Sequence, residues 1–286
     1  MRRLSDDFID CLQSGFLKDI TEMVRKDHDL NLEIRNGFIN IYFKGHSLLN
    51  LKEVSTSRYK VGIHKAFKKD LDIPLELTDA KTTAIFLDYL PQLKQNIILH
   101  DKGSTEIEYE QMIIRANNYE PRSNSEYFII DRQIVVSTGR FDLTGIFWDH
   151  VGRRRNQEVS LCLFEVKFSL NSDIKGVHNQ LTRYYEALKP LAKSFAEDCE
   201  TVFRQKLELG LYDQSLDRLE AMKTLKISKE LSDFQFILVL VDYNPNSVQL
   251  DLRQLENLPF AKQIKIFHGG LGMWQQNVKS IASESR

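Results

Sequence analysis

Cysteine is scarce in this chain: Cys11, Cys162 and Cys199 are the only three among 286 residues. Three thiols cannot all pair within one chain, and these form no C-x-x-C cluster. A disulfide framework and a structural zinc site are both unexpected. Long apolar runs are missing too. No stretch approaches the roughly 20 residues that cross a bilayer. Met1-Arg2-Arg3 leads into acidic residues rather than the apolar core of a signal peptide. The expectation is a cytoplasmic protein with no membrane contact. An excess of one charge is also absent, since 39 Lys and Arg against 40 Asp and Glu leave a net charge of −1. That argues against tight, unspecific attraction to nucleic acid by the whole surface. Phosphate contacts would have to come from local clusters such as Arg153-Arg154-Arg155 or Lys65, Lys68 and Lys69, unless a partner protein or guide element delivers the substrate; a homodimer is a further expectation.

What is present is an ordinary globular composition, 42% hydrophobic and 28% charged, long enough for one elaborated domain or two. The most informative stretch lies in the middle. Leu161 to Phe168 is short and rich in β formers, so it reads as a strand. Alternation puts Leu161, Leu163, Glu165 and Lys167 on one face, and Cys162, Phe164, Val166 and Phe168 on the other. An acid and a base thus enter an apolar interior together, where charges must pair or bind a metal. The strand before it, about Arg140 to Trp148, carries Asp142 on the face of Arg140, Thr144 and Ile146. A loop over 149–157 makes the two strands a hairpin and sets Asp142 opposite Glu165.

Two carboxylates converging beside a main-chain carbonyl form a hard oxygen site suited to Mg²⁺, with Mn²⁺ as a substitute. Lys167 is placed to position or deprotonate a water, or to stabilise charge on a phosphorane. The plainer reading is an Asp/Glu–Lys ion pair that staples two strands. A helix follows from about Asp173, with Val177, Leu181, Tyr184, Leu188 and Leu191 on one face. Gln180 and Tyr184, four apart, lie at that stripe. Gln180 suits orienting a ligand or water, and Tyr184 suits holding a phosphate or stacking a base; packing alone would also explain both.

In these residues the chain resembles the PD-(D/E)XK nuclease superfamily. Asp142 stands at the first acidic position, Glu165-Val166-Lys167 at the (D/E)-x-K, and Gln180 to Tyr184 at the Q-x-x-x-Y element of RecB-type members. Gly139-x-x-Asp142 is similar to their G-x-x-D. Phe141 replaces the proline of the family's name. The resemblance covers about residues 104 to 268. It implies an α/β, restriction-endonuclease-like core in the order helix, three strands, helix, strand, its mixed sheet flanked by helices. It also implies metal held by Asp142, Glu165 and the carbonyl of Val166, with a further acid on the first core helix. That helix is expected over about Thr105 to Asn117, with Ser104 as its N-cap. Glu108, on a polar stripe with Gln111 and Arg115, is the choice for the acid, with Glu110 as the alternative.

After the Gln180 helix, residues near 195–230 read as a helical insertion. Phe234 to Val241 reads as a strand buried on both faces, a short helix is expected near 252–257, and an edge strand at 263–267 closes a domain spanning 101–286. Residues 1–100 read as an α+β module. It comprises an amphipathic helix over 6–27, a hairpin turning at Asn36-Gly37 with both residues at positive φ, a third strand at 47–53, and a helix over 79–95 that Pro91 limits. The functional expectation is a metal-dependent endonuclease acting on DNA. Two other readings remain: a catalytically silent nuclease-fold subunit that binds nucleic acid or a protein, and a ribonuclease with the same site.

Overall fold

Ser14-Gly15 divides what the sequence offers as one helix. In the computed structural model, which describes residues 2–100, 105–119, 125–136, 139–149, 158–168, 172–212, 219–244 and 246–270, α1 (Asp6–Gln13) stops there and α2 (Lys18–Lys26) follows. Ser5 caps α1 by accepting the Phe8 N–H at 3.1 Å. The hairpin is present as β1 (Leu30–Ile34) against β2 (Phe38–Phe43), with Ile34 opposite Ile39. Only Gly37 of its turn takes a positive φ, so the Asn36 expectation does not hold. The turn with two left-handed residues is the next one, Lys44-Gly45, leading into β3 (His46–Ser55).

β4 (Arg58–Gly62), α3 (Lys65–Lys68) and β5 (Glu76–Leu77) complete an antiparallel five-stranded sheet in the order β1-β2-β3-β4-β5. The expected helix over 79–95 is two helices, α4 (Ala80–Asp88) and α5 (Leu90–His100). Pro91 sits in the first turn of α5. A missing N–H costs nothing there, so it starts a helix rather than ending one.

α6 (Thr105–Asn118) opens the second half, followed by β6 (Tyr127–Val136), β7 (Gly139–Phe147) and β8 (Glu158–Phe168). A 3₁₀ turn at Ser172–Gly176 leads into α7 (Val177–Leu188). Then come α8 (Ala192–Glu208), α9 (Leu219–Met222), β9 (Lys226–Ile227), β10 (Gln235–Val241), α10 (Leu252–Glu256) and β11 (Ile264–Gly269). The second sheet runs β11-β10-β8-β7-β6, with β9 paired to β8. β7 runs antiparallel to its neighbours β6 and β8, whereas β8, β10 and β11 are parallel. The chain is therefore α/β, with a mixed sheet flanked by helices.

One face of this sheet carries Leu161, Leu163, Phe236 and Leu238 and packs on the stripe Val177, Leu181, Tyr184 and Leu188 of α7. Burying each such side chain contributes about 1.5–3 kcal/mol, which fixes α7 against the sheet. Leu191, expected on that stripe, lies half-exposed beyond the end of α7. The opposite face, with Cys162, Phe164, Val166 and Ile237, packs on Ile114 of α6. The first core is continuous with the interior of the five-stranded sheet. Among the described residues no helix is long and apolar enough to cross a membrane. Ser104, Arg153-Arg154-Arg155 and the chain beyond Gly270 lie outside the described residues.

Candidate active site

β7 and β8 part company where the motif residues begin. Their pairing runs from Phe147/Ser160 to Leu143/Phe164 and stops. Beyond that point β7 stays with β6, while β8 continues beside β10 as far as Phe168. The cleft between the diverging strands holds Asp142 on one wall and Glu165 to Lys167 on the other. Asp142 Oδ2 spans it by accepting the Val166 N–H at 2.8 Å, in place of a ladder hydrogen bond.

β7 is irregular at the same place. Phe141 and Ile146 both enter the first core while Leu143 enters the second, so the strand's alternation slips around Asp142. On the β6 side the ladder skips Gln133, whose φ of 53° is left-handed. Such strain costs about 1–3 kcal/mol and collects at functional sites.

Glu165 is almost fully buried. Its Oε1 accepts from Lys167 Nζ at 2.6 Å and from Gln180 Nε2 at 2.6 Å. Its Oε2 is buried and has no hydrogen-bond partner. An ionised oxygen left in that state is costly unless a cation meets it. Gln180 also donates to Tyr184 Oη at 2.7 Å, and that hydroxyl donates to the Arg140 carbonyl at 2.8 Å. The Q-x-x-x-Y element thus ties the acid on β8 to the opening of β7. Gly139 explains itself here, since a Cβ at that position would overlap the Tyr184 ring, which also packs on Phe141 at 4.3 Å between centroids.

Gly139→Ala should therefore cost about 1–3 kcal/mol through overpacking. Gly269→Ala, where a Cβ meets nothing within 4 Å, should stay within about 0.5 kcal/mol of wild type. Urea melts of both variants check the pair.

The electrostatics follow from burial beside like charge. Burial, then Asp142, raises the Glu165 carboxyl to about 7. Burial also raises Asp142, against the Val166 N–H and Lys167, which pull it down. Burial works against the Lys167 ammonium, but Glu165, Asp142 and Glu106 outweigh it and leave its pKa raised. Burial raises Tyr184 as well.

Of the residues singled out by sequence, Asp142, Glu165, Val166, Lys167, Gln180 and Tyr184 come together. Glu108 does not join them: its carboxylate accepts from Lys44 Nζ at 3.0 Å, across to the β2–β3 turn. The alternative, Glu110, is buried against Arg132 Nη2 at 2.6 Å and raised to about 7, chiefly by burial, with Asp142 adding to the shift. The acid missed by sequence reasoning is Glu106, one turn before Glu110, whose charge acts on both Asp142 and Lys167. Four-residue spacing from Glu110 was the available signal.

The donor set fits a hard divalent cation. Asp142, the orphaned Oε2 of Glu165 and the Val166 carbonyl are all oxygen. Among the described residues no three His, Cys, Asp or Glu side chains group as a metal cage. A two-carboxylate site matches Mg²⁺, which keeps several waters, better than zinc, which takes three or four protein ligands, mostly His and Cys. No protein-family model matches this chain, and no curated protein or solved structure matches it either.

Proposed function

We propose that this protein is a metal-dependent nuclease that hydrolyses phosphodiester bonds in DNA, built on a restriction-endonuclease-like core. The observation that carries the reading is the cleft between β7 and β8, where the unpartnered Glu165 oxygen faces a medium of low polarity beside Asp142 and Lys167. The order α6, three antiparallel strands, α7 and a parallel β10 is compatible with that fold class.

Asp142, Glu165 and the Val166 carbonyl would hold Mg²⁺ or Mn²⁺. The cation, when bound, supplies Lewis-acid polarisation of a phosphoryl oxygen and a more acidic bound water. Hydrolysis adds water to phosphorus and expels an alkoxide oxygen, leaving a phosphate and a hydroxyl end. Lys167, on the Glu165 face of β8, would stabilise with its ammonium the negative charge that grows as the phosphorus becomes five-coordinate. Gln180 holds Glu165 Oε1, which leaves Oε2 as the oxygen that would meet the cation. Tyr184 fixes Gln180 in turn.

The 2.6 Å Lys167–Glu165 pair favours a second reading, a silent binding subunit in which these charges merely satisfy each other. Metal linkage separates the two. In the nuclease, saturating Mg²⁺ or Mn²⁺ stabilises the fold by about 2.7 kcal/mol at a hundred times Kd, a rise of roughly 5 °C in melting temperature. Asp142→Asn abolishes that rise and melts at or above metal-free wild type. A metal-blind wild type with a destabilised Asp142→Asn variant would establish the silent subunit. Cleavage of plasmid and single-stranded DNA and of RNA, with Mg²⁺ and with EDTA, reads activity alongside.

A further inference from the structure

The parallel strands β8, β10 and β11 end together beside the cleft, and their ends carry a feature that the cleavage chemistry does not use. Phe168 is the last residue of β8, immediately after Lys167, and stands opposite Val241 of β10. Its ring stacks on Tyr109 of α6, with centroids 5.5 Å apart and planes 23° from parallel. Tyr109 lies three residues after Glu106, the α6 acid whose charge acts on Asp142 and Lys167. Both rings are half-buried at the margin of the second core.

Packing alone is a poor explanation of this pair. Tyr109 Oη donates to Asp242 Oδ2 at 2.7 Å, an anchor that a core phenylalanine would not need. That hydrogen bond, ahead of burial, is what raises the Tyr109 pKa. Asp242 takes a left-handed φ of 48° just past the end of β10. It is held there from the β11 side: its N–H donates to the Gly269 carbonyl at 2.8 Å, and a Cβ at Gly270 would overlap its carboxylate. The fold thus spends backbone strain to pin the edge of an aromatic pair. Residues so fixed at the carboxyl ends of parallel strands sit where open α/β sheets bind ligands.

We infer that Tyr109 and Phe168 form a shelf on which an unpaired base next to the scissile phosphate stacks, so that the preferred substrate is single-stranded or frayed nucleic acid. This rests on the nuclease reading, because the shelf lies on the α6 face of β8, and takes its meaning from Glu106 on the same helix, whose charge acts on Asp142 and Lys167. A base inside an intact duplex keeps its faces on its neighbours and has none to offer. An unstacked base offers a π face to any aromatic ring, and recognition of this kind is indifferent to sequence. Asp242 sets the tilt of Tyr109 and is a positioning residue.

The test uses the full chain carrying Asp142→Asn, in EDTA, with a single-stranded oligonucleotide bearing one 2-aminopurine, and with the same oligonucleotide in a duplex. Binding should quench the 2-aminopurine of the single strand and leave the duplex probe unchanged. Tyr109→Leu and Phe168→Leu should each weaken single-strand binding about tenfold and remove the quench. Tyr109→Phe keeps the ring but loses the Asp242 anchor, and should keep a weaker quench. Tyr109→Trp, the variant to rely on should the leucine variants fail to fold, should deepen it. Equal single-strand affinity and quench in wild-type and leucine backgrounds, or tighter binding of the duplex, would overturn the shelf; so would a Tyr109→Trp protein that quenches no more than its parent. Cleavage by the wild-type chain with Mg²⁺ is followed in parallel. Cleavage without quenching removes the shelf alone, whereas quenching without cleavage removes the nuclease reading and leaves a strand-binding surface.

Discussion

Asp142→Asn should fold normally and cleave at least roughly a thousandfold more slowly than wild type. The side chain that replaces the acid keeps an oxygen for the Val166 N–H, so the bridge across the cleft survives. What disappears is one anionic oxygen of the cation site. Because burial raises the Asp142 carboxyl, its ionised form costs stability above that raised pKa, and the amide removes the cost. Glu165→Ala and Lys167→Ala should lose activity to a similar degree, since each takes away a different part of one charge-stabilising arrangement. Gln180→Ala should fall only about tenfold, because it acts by orienting Glu165 Oε1. Initial rates on plasmid and single-stranded DNA, set beside thermal melts, measure all four. An Asp142→Asn protein that cuts at the wild-type rate would end the nuclease reading. A wild-type rate from Lys167→Ala would end only the role given to the lysine.

The second large effect lies outside the cleft, where β1, β6 and α8 meet. Glu33 of β1 is fully buried, with Oε2 on Lys206 Nζ of α8 at 2.7 Å and Oε1 without a hydrogen-bond partner. Asp131 of β6 stands beside it, held by Arg2 at 2.5 Å and by Arg35. The hydroxyls of Tyr119 and Tyr212 also face the group. Burial raises Glu33 to about 8, with Asp131 adding to the shift and Lys206 and Arg35 opposing it. Burial opposes ionisation of Asp131 too, but Arg35, Arg2 and Lys206 keep it below the usual carboxylate range.

The signs of the two linkages are opposite. Glu33 has its raised pKa in the folded state, so the stability it brings is complete below its unfolded pKa and is lost as pH rises through about 8. Asp131 is lowered, so its contribution is lost as pH falls. Lys206→Met removes the cation that lets Glu33 ionise in place. The variant should sit close to wild type at pH 5 and fall behind by roughly 3 kcal/mol at pH 9, the usual cost of a buried charge left alone. Glu33→Gln copies the protonated acid and should flatten the decline near pH 8. Chemical denaturation at pH 5, 7 and 9 measures both, and a Lys206→Met deficit that is independent of pH would refute the account.

Much of the second half was legible because its signals are local. Phe234 to Val241 is apolar throughout and becomes the parallel β10; Val177, Leu181, Tyr184 and Leu188 mark the buried face of α7 at helical spacing. Asp142, Glu165, Lys167, Gln180 and Tyr184 could be grouped because each is fixed by its place on a strand or helix. What stayed hidden depends on partners distant in sequence. Glu108 was chosen from its stripe on α6, yet the β2–β3 turn claims it through Lys44, leaving the inward position to Glu106. The split at Ser14-Gly15 and the start of α5 at Pro91 are boundary effects, which a periodic pattern runs across without registering. β4 and β5 are short and charged; β4 becomes a strand on the edge that β3 offers, and β5 on the edge that β4 offers in turn. No local pattern announces the clamp of Gly269 and Gly270 on Asp242.

The single amide that bridges the cleft makes the protein its own spectrometer. Val166 N–H finds its acceptor in a side chain whose charge can change, not in a fixed carbonyl. Its nitrogen and proton resonances therefore record the ionisation of Asp142 directly, and its solvent exchange reports how often the two walls separate. One labelled backbone position thus follows the electrostatic state of the whole centre, with no probe added and no substrate turned over.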